Sequence, residues 1–181
     1  MAEPVTTDPR VALARAGDDG AFASLYDEYS PRLYRFLLLR VQEPADAEDL
    51  LQRVFLKVIE ALPAFEDRGL PFGAWLFRIA RNAAIDFERS HRSTAPLDAL
   101  VDRPVETPGP EVLAEQSLAR ARVREALALL TAEQRDVVVY RFIGGLTPAE
   151  IGRLMGKREG TVRALQFRAI DRKSTRLNSS H

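Results

Sequence analysis

Arg163, Ala164, Phe167, Arg168 and Asp171 fall on one side of a helical wheel near the end of the chain, at about 100° per residue. Val162, Leu165 and Ala169 fall on the opposite side. The apolar side suits a core. The other side carries two guanidinium groups and an aromatic ring that no core claims. Arg can bond bidentately to guanine in a DNA major groove, and Phe can touch a thymine methyl. Around this face Arg153, Lys157, Arg158, Arg163, Arg168 and Arg172 outnumber Glu159 and Asp171, and such an excess suits phosphate contacts. A solvated basic face on a helical hairpin is the bland alternative. A second group of residues mixes arginine with aromatics: Trp75, Phe77, Arg78, Arg81 and Asn82, followed by Ser90-His91-Arg92. That mixture is typical of single-stranded nucleic-acid sites, where bases stack on rings and cations neutralise the backbone, but it also fits a core helix with a solvated basic edge. A third group, Asp46, Glu48 and Asp49, is acidic.

The elements that must hold these residues carry their own signals. Thr131 is followed three residues later by Gln134, and Thr147 by Glu150, so each pair can form a reciprocal capping box at a helix start. Pro148 stands at a first helical position, where its missing N–H costs nothing. Gly144-Gly145 ends one helix, and Gly156 separates two short ones. Two short helices joined by a tight Gly-containing turn make a helix-turn-helix.

Upstream, the spacing predicts three longer helices. The first runs roughly from Asp19 to Val41, with Phe22, Leu25, Tyr26, Tyr29, Leu33 and Leu37 as its buried stripe. Pro31 predicts a kink or local break within it. The second runs from about Ala45 to Leu62 on Leu50, Val54, Val58 and Leu62, supported by Leu51 and Phe55. The acidic group sits in its first turn, where carboxylates complement the helix dipole. The third runs from about Phe72 to Arg92, with Phe72, Trp75, Leu76, Ile79, Ala80 and Ala83 facing a core. Between Ser93 and about Pro110 four prolines make a packed helix unfavourable, and the segment is read as an extended linker between two helical domains.

Composition excludes whole classes of function. The chain has 181 residues and no cysteine, which removes disulfides, thiol catalysis and cysteine-ligated zinc. Its two histidines, His91 and His181, have no partner at metal-ligand spacing. No nucleophile–base set or phosphate-binding loop is evident, so neither enzymatic activity nor a cofactor or metal is expected. Lys+Arg and Asp+Glu are equal at 26 each, so net charge says nothing about partners. No apolar run reaches the length of a membrane span, and the first residues lack the segments of a signal peptide; a cytoplasmic protein without membrane insertion is expected.

The segments DAEDLLQRVFLKVIEAL, FGAWLFRIARNAAIDFERSHR and LTAEQRDVVVYRFIGGLTPAEIGRLMGKREGTVRALQFRA, in this order and with a Pro-rich linker before the last, resemble the extracytoplasmic-function sigma factors of the sigma-70 family. The resemblance spans about residues 15 to 172. It implies an all-α protein of two small helical domains that binds bacterial core RNA polymerase and promoter DNA, with an anti-sigma factor as a further candidate partner. It implies a polymerase-binding segment at Asp46, Asp49, Leu50, Gln52, Arg53, Phe55 and Leu56. It implies a −10 element site at Phe65, Glu66, Asp67, Arg68, Trp75, Arg78, Asn82, Arg89 and Arg92. It implies a −35 element site at Lys157, Arg158, Thr161, Arg163, Ala164, Phe167 and Arg168. The matching division is an N-terminal domain over 15–93, a linker over 94–112 and a C-terminal domain over 113–172.

Two departures stand out. Arg158 occupies a position where the family often has a short polar cap. The Ser/Asn-rich string over 173–181 reads as a foreign or frayed end and enters no fold argument. Two other functions share parts of the pattern. A self-sufficient helix-turn-helix regulator would leave the acidic helix and the Trp75–Arg92 segment without a role. A helical protein–protein adaptor would not need the Arg163–Phe167–Arg168 face.

Overall fold

The computed structural model describes residues 8–67, 69–93 and 109–177. Among these there are eight α-helices and no strand: α1 Pro9–Arg15, α2 Asp19–Arg40, α3 Pro44–Ala61, α4 Phe72–Ser93, α5 Pro110–Ala128, α6 Ala132–Val138, α7 Pro148–Met155 and α8 Glu159–Leu177. A short 3-10 turn, Leu62–Ala64, extends α3, and a π turn, Val139–Ile143, extends α6.

Helix α1, with seven residues, is too short to show an apolar stripe in the sequence. It is held by caps and charge instead. Asp8 accepts from the Arg10 N–H at 3.0 Å, and the Arg10 guanidinium reaches both Asp8 and Glu28 at 2.5 Å. This pairing holds the Asp8 carboxyl below its ordinary value. Val11 and Ala14 are buried on the adjoining helix α2.

Asp18 caps α2 by accepting from Ala21 N–H at 2.8 Å. The break expected at Pro31 is absent, and α2 runs on to Arg40. Buried residues on both sides of the proline, Leu25 before and Leu33, Phe36 and Leu37 after, hold the helix in one piece against its neighbours. Helices α2, α3 and α4 then close a core around Leu33, Leu37, Val54, Val58, Leu76 and Ala80, all fully buried. Two further boundaries differ from expectation. Helix α5 begins at Pro110, so the last residues assigned to the linker are helical; Pro110 takes the first helical position, where proline is tolerated. Helix α8 continues to Leu177, because nothing in Lys173–Leu177 is a Gly or Pro that would stop it.

The last four helices are tied to the first four. The Tyr140 ring, 1 % exposed, stacks on Phe36 with centroids 5.9 Å apart and meets Phe77 edge-on at 6.3 Å. Burial, with the Asp136 carboxylate nearby, pushes the Tyr140 phenol up to about 12. Arg124 of α5 donates to the carbonyl oxygens of Leu38 and Val41 at the end of α2, which caps carbonyls the helix leaves unpaired.

Candidate nucleic-acid and polymerase interfaces

The helix-turn-helix forms as its caps predict. Thr147 accepts from Glu150 N–H at 3.2 Å while the Glu150 carboxylate accepts from Thr147 N–H at 2.7 Å, and Thr131 and Gln134 make the same box on α6. Gly156 ends α7 with φ 66°, in the left-handed region that favours glycine. Gly152 is the less obvious requirement. A Cβ there would stand 2.6 Å from the Lys157 carbonyl oxygen, so the chain can pass from α7 into α8 this closely only over a glycine.

Helix α8 presents the two faces read from the wheel. Val162, Leu165 and Ala169 are buried at 0 %, 8 % and 3 % exposure, whereas Phe167 is 71 % exposed. Arg158, Thr161, Arg163, Ala164 and Arg168 are exposed as well. Two of the cations already have partners. Arg163 Nη2 meets Glu159 Oε1 at 2.5 Å, and Lys157 Nζ meets Glu133 Oε1 at 2.6 Å. The Arg163 pair is an exposed i,i+4 contact, weak enough for a phosphate or base to replace it. The Lys157 pair fixes the turn to α6.

On α4 the structure separates residues that the sequence leaves mixed. Arg78, Asn82 and Arg89 are exposed on one face. Phe77 is fully buried and Arg81 pairs with Asp136 at 3.6 Å, so neither joins that face. Trp75, 8 % exposed, lies against Phe65 and Phe72 with centroids 4.7 Å and 5.7 Å away. This aromatic cluster underlies an open cleft of about 620 Å³ lined by Ala61, Ala64, Phe65, Glu66, Leu70, Trp75 and Arg78. Its volume exceeds that of a nucleobase. Glu66 is exposed, and Asp67, next in the chain, is half-buried. Arg68 and the Arg92 side chain lie outside the described residues.

On α3 the seven residues implied by the resemblance divide. Leu50 and Phe55 are buried, at 2 % and 6 % exposure, and Phe55 packs on Tyr26 and Phe22; neither can meet a partner directly. Asp49, Gln52, Arg53 and Leu56 are exposed, with Asp46 half-buried at the helix start. Leu56 and Ile59 are 60 % and 53 % exposed, and Ile59 is an addition that sequence reasoning missed. Its signal was there: an isoleucine off the Leu50–Val54–Val58 stripe has no core to enter. Leu56 also lines a cleft of about 350 Å³ with Arg53, Lys57, Glu60 and, from α4, Asp86. Among the described residues no group of His, Cys, Asp and Glu is arranged to hold a metal, and no helix is long and apolar enough to cross a membrane.

Residues 25–94 match the family model for sigma-70 region 2, and residues 126–172 match that for sigma-70 region 4. The ECF RNA polymerase sigma factor BldN of Streptomyces coelicolor is 38 % identical over 162 residues, which are 88 % of this chain and 61 % of BldN, so the chain spans less than two thirds of that relative. The ECF RNA polymerase sigma factor SigD of Mycobacterium tuberculosis is 35 % identical over 171 residues, covering 91 % of this chain and 81 % of SigD. Among solved structures, CnrH in complex with the cytosolic domain of CnrY superposes with TM-score 0.72 at 27 % identity, covering 95 % of this chain and 97 % of CnrH. The sigma factor RpoE in complex with the anti-sigma factor NepR from Bartonella quintana shares the fold, with TM-score 0.60 at 22 % identity over 88 % of this chain and 98 % of RpoE.

Proposed function

The chain belongs to the ECF RNA polymerase sigma factors, and from that premise we propose that it binds bacterial core RNA polymerase and directs it to promoters by reading two DNA elements. The observation that carries this reading is the pairing of two unlike nucleic-acid surfaces on one chain. Helix α8 offers exposed Arg163, Phe167 and Arg168 on a helix-turn-helix, which suits duplex bases in a major groove. The cleft over Phe65 and Trp75, edged by Arg78, suits a base extruded from an opened strand. A regulator acting on duplex DNA alone has no use for the second surface.

In this reading residues 15–93 bind polymerase and the −10 element, 94–112 link, and 113–172 bind the −35 element. The exposed strip Asp49, Gln52, Arg53, Leu56 and Ile59 contacts polymerase, while Leu50 and Phe55 support it from beneath. The protein acts in the cytoplasm and catalyses no reaction of its own. An anti-sigma factor is the partner that would restrain it, as NepR accompanies its RpoE relative.

Competition for core polymerase tests the assignment. Asp49→Arg with Leu56→Arg reverses a charge and removes an exposed apolar contact on one helix face. The double variant should lose at least tenfold in affinity with its helical content unchanged, since each misplaced interface charge costs several kcal/mol. Unchanged affinity would exclude α3 as the polymerase contact.

A further inference from the structure

Lys157 stands among the cations of the −35 face by sequence, yet it is built differently from the rest. Arg158, Arg163 and Arg168 are exposed, whereas Lys157 is half-buried, with 25 % of its side chain open to solvent. Three contacts fix it at once. Its N–H donates to the Gly152 carbonyl of α7 at 2.8 Å. Its own carbonyl oxygen approaches Gly152 so closely that a Cβ there would stand 2.6 Å away. Its ammonium meets the Glu133 carboxylate, in the first turn of α6, at 2.6 Å. The Arg163–Glu159 pair is of another kind: both partners lie on α8, so breaking it leaves the direction of the helix unchanged.

Position gives these contacts leverage. Lys157 directly precedes Arg158, whose carbonyl accepts the Val162 N–H at 3.1 Å and opens α8. Val137, Ile151 and Val162, one from each of α6, α7 and α8, are fully buried, but apolar contact is non-directional and resists tilt poorly. Arg168 is ten residues beyond Arg158, roughly 15 Å along the helix at ~1.5 Å per residue. A tilt of about 5° at the turn would move it by roughly 1.3 Å, whereas N–H···O hydrogen-bond distances span only about 0.5 Å. An ion pair from α6 to the turn is directional and opposes such a tilt.

We propose that Glu133 and Lys157 form a pin that aims α8, which makes Glu133 a positioning residue for −35 reading and takes Lys157 out of the DNA contacts. The inference rests on the two-element reading above, but the pin can also be measured without DNA. The Lys157 charge is held by the protein and adds nothing to phosphate neutralisation. Glu133 contributes to base preference without touching a base.

Glu133→Gln, Lys157→Gln and their combination separate a pin from a phosphate contact. Holoenzyme assembled from core polymerase and the full chain is bound to a promoter fragment that wild type selects from a randomised library, and to the same fragment with its −35 element scrambled. The ratio of the two affinities cancels uniform charge effects and any loss of folded protein. Each single variant should lower that ratio about twofold to fivefold, the worth of a modest ion pair. The combination should lower it no further, because both changes remove the same pair. Lys157→Gln should leave the salt slope of binding unchanged. A lysine on phosphate gives the reverse pattern, an unchanged ratio with a salt slope smaller by about one, and that result would overturn the pin. Additive losses in the combination would overturn it as well. In the free chain, hydrogen exchange at the Lys157 amide should quicken about twofold to fivefold in both single variants and no further in the combination. Unchanged exchange would overturn the pin whatever the DNA result. Should wild-type holoenzyme select no promoter, the two-element reading fails, and the exchange result still decides the pin.

Discussion

Gly152→Ala and Gly160→Ala are the same chemical change on neighbouring helices, and the structure assigns them different outcomes. At Gly152 the new methyl would lie 2.6 Å from the Lys157 carbonyl oxygen, a backbone atom in the turn that aims α8. The pair must part by about 0.8 Å, the gap between 2.6 Å and the 3.4 Å at which ordinary contact begins. Overpacking of this kind costs about 1–3 kcal/mol. Alanine recovers about 1 kcal/mol of helix propensity, since Gly152 is inside α7. The net is a destabilisation of up to about 2 kcal/mol, or a fall in melting temperature of up to roughly 8 °C for a chain of this size. At Gly160 nothing lies within 4 Å of the added methyl, so only the propensity gain remains, and Tm should rise by about 1–3 °C. Thermal unfolding followed by circular dichroism compares the two directly. Gly152→Ala should also lower affinity for −35 duplex by more than its stability loss explains, because the displaced turn re-aims α8. Equal shifts of the same sign in both variants would refute the close-approach argument.

Arg168→Ala should relax base preference at one or two −35 positions and cost about 1–3 kcal/mol, whereas Arg158→Ala should weaken all sequences alike and reduce the salt slope by about one; library transcription at two salt concentrations separates them, and a uniform loss for Arg168→Ala would reduce it to a phosphate contact. Acid should loosen α1: the Asp8 carboxyl is depressed below its ordinary 3.8, so its contribution is fully present above 3.8 and is lost as the pH falls through the lowered value. Amide exchange at Val11 and Ala14 should accelerate in that window for wild type and not for Asp8→Asn, and equal acceleration in both would remove Asp8 from the account.

The parts of this fold that the sequence discloses are those written over short separations. A capping box spans three residues, a wheel repeats within two turns, and a left-handed glycine marks its own turn; Thr147, Gly156 and the Val162–Leu165–Ala169 stripe were all legible on that basis. What stayed hidden depends on contacts far apart in the chain. Arg40 and Asp136 are separated by 96 positions, and no periodicity links them. Phe77 looked available for base stacking because its cover, Phe36 and Tyr140, comes from two other helices. Phe55 looked like a contact residue for the same reason, with Tyr26 closing over it at 4.4 Å. Gly152 gave no signal, since its constraint is a backbone oxygen rather than its own dihedral angle. Helix α5 was obscured because it has no buried residue from which a stripe could be read.

Run-off transcription with purified core polymerase on a randomised promoter library tests the central claim most directly. The account predicts that initiation depends on adding this chain, that the selected templates share two sequence elements about 25 base pairs apart, and that Arg168→Ala alters only the upstream one. Initiation that does not depend on the chain, or protection of duplex DNA by the chain alone with no effect on polymerase, would contradict it.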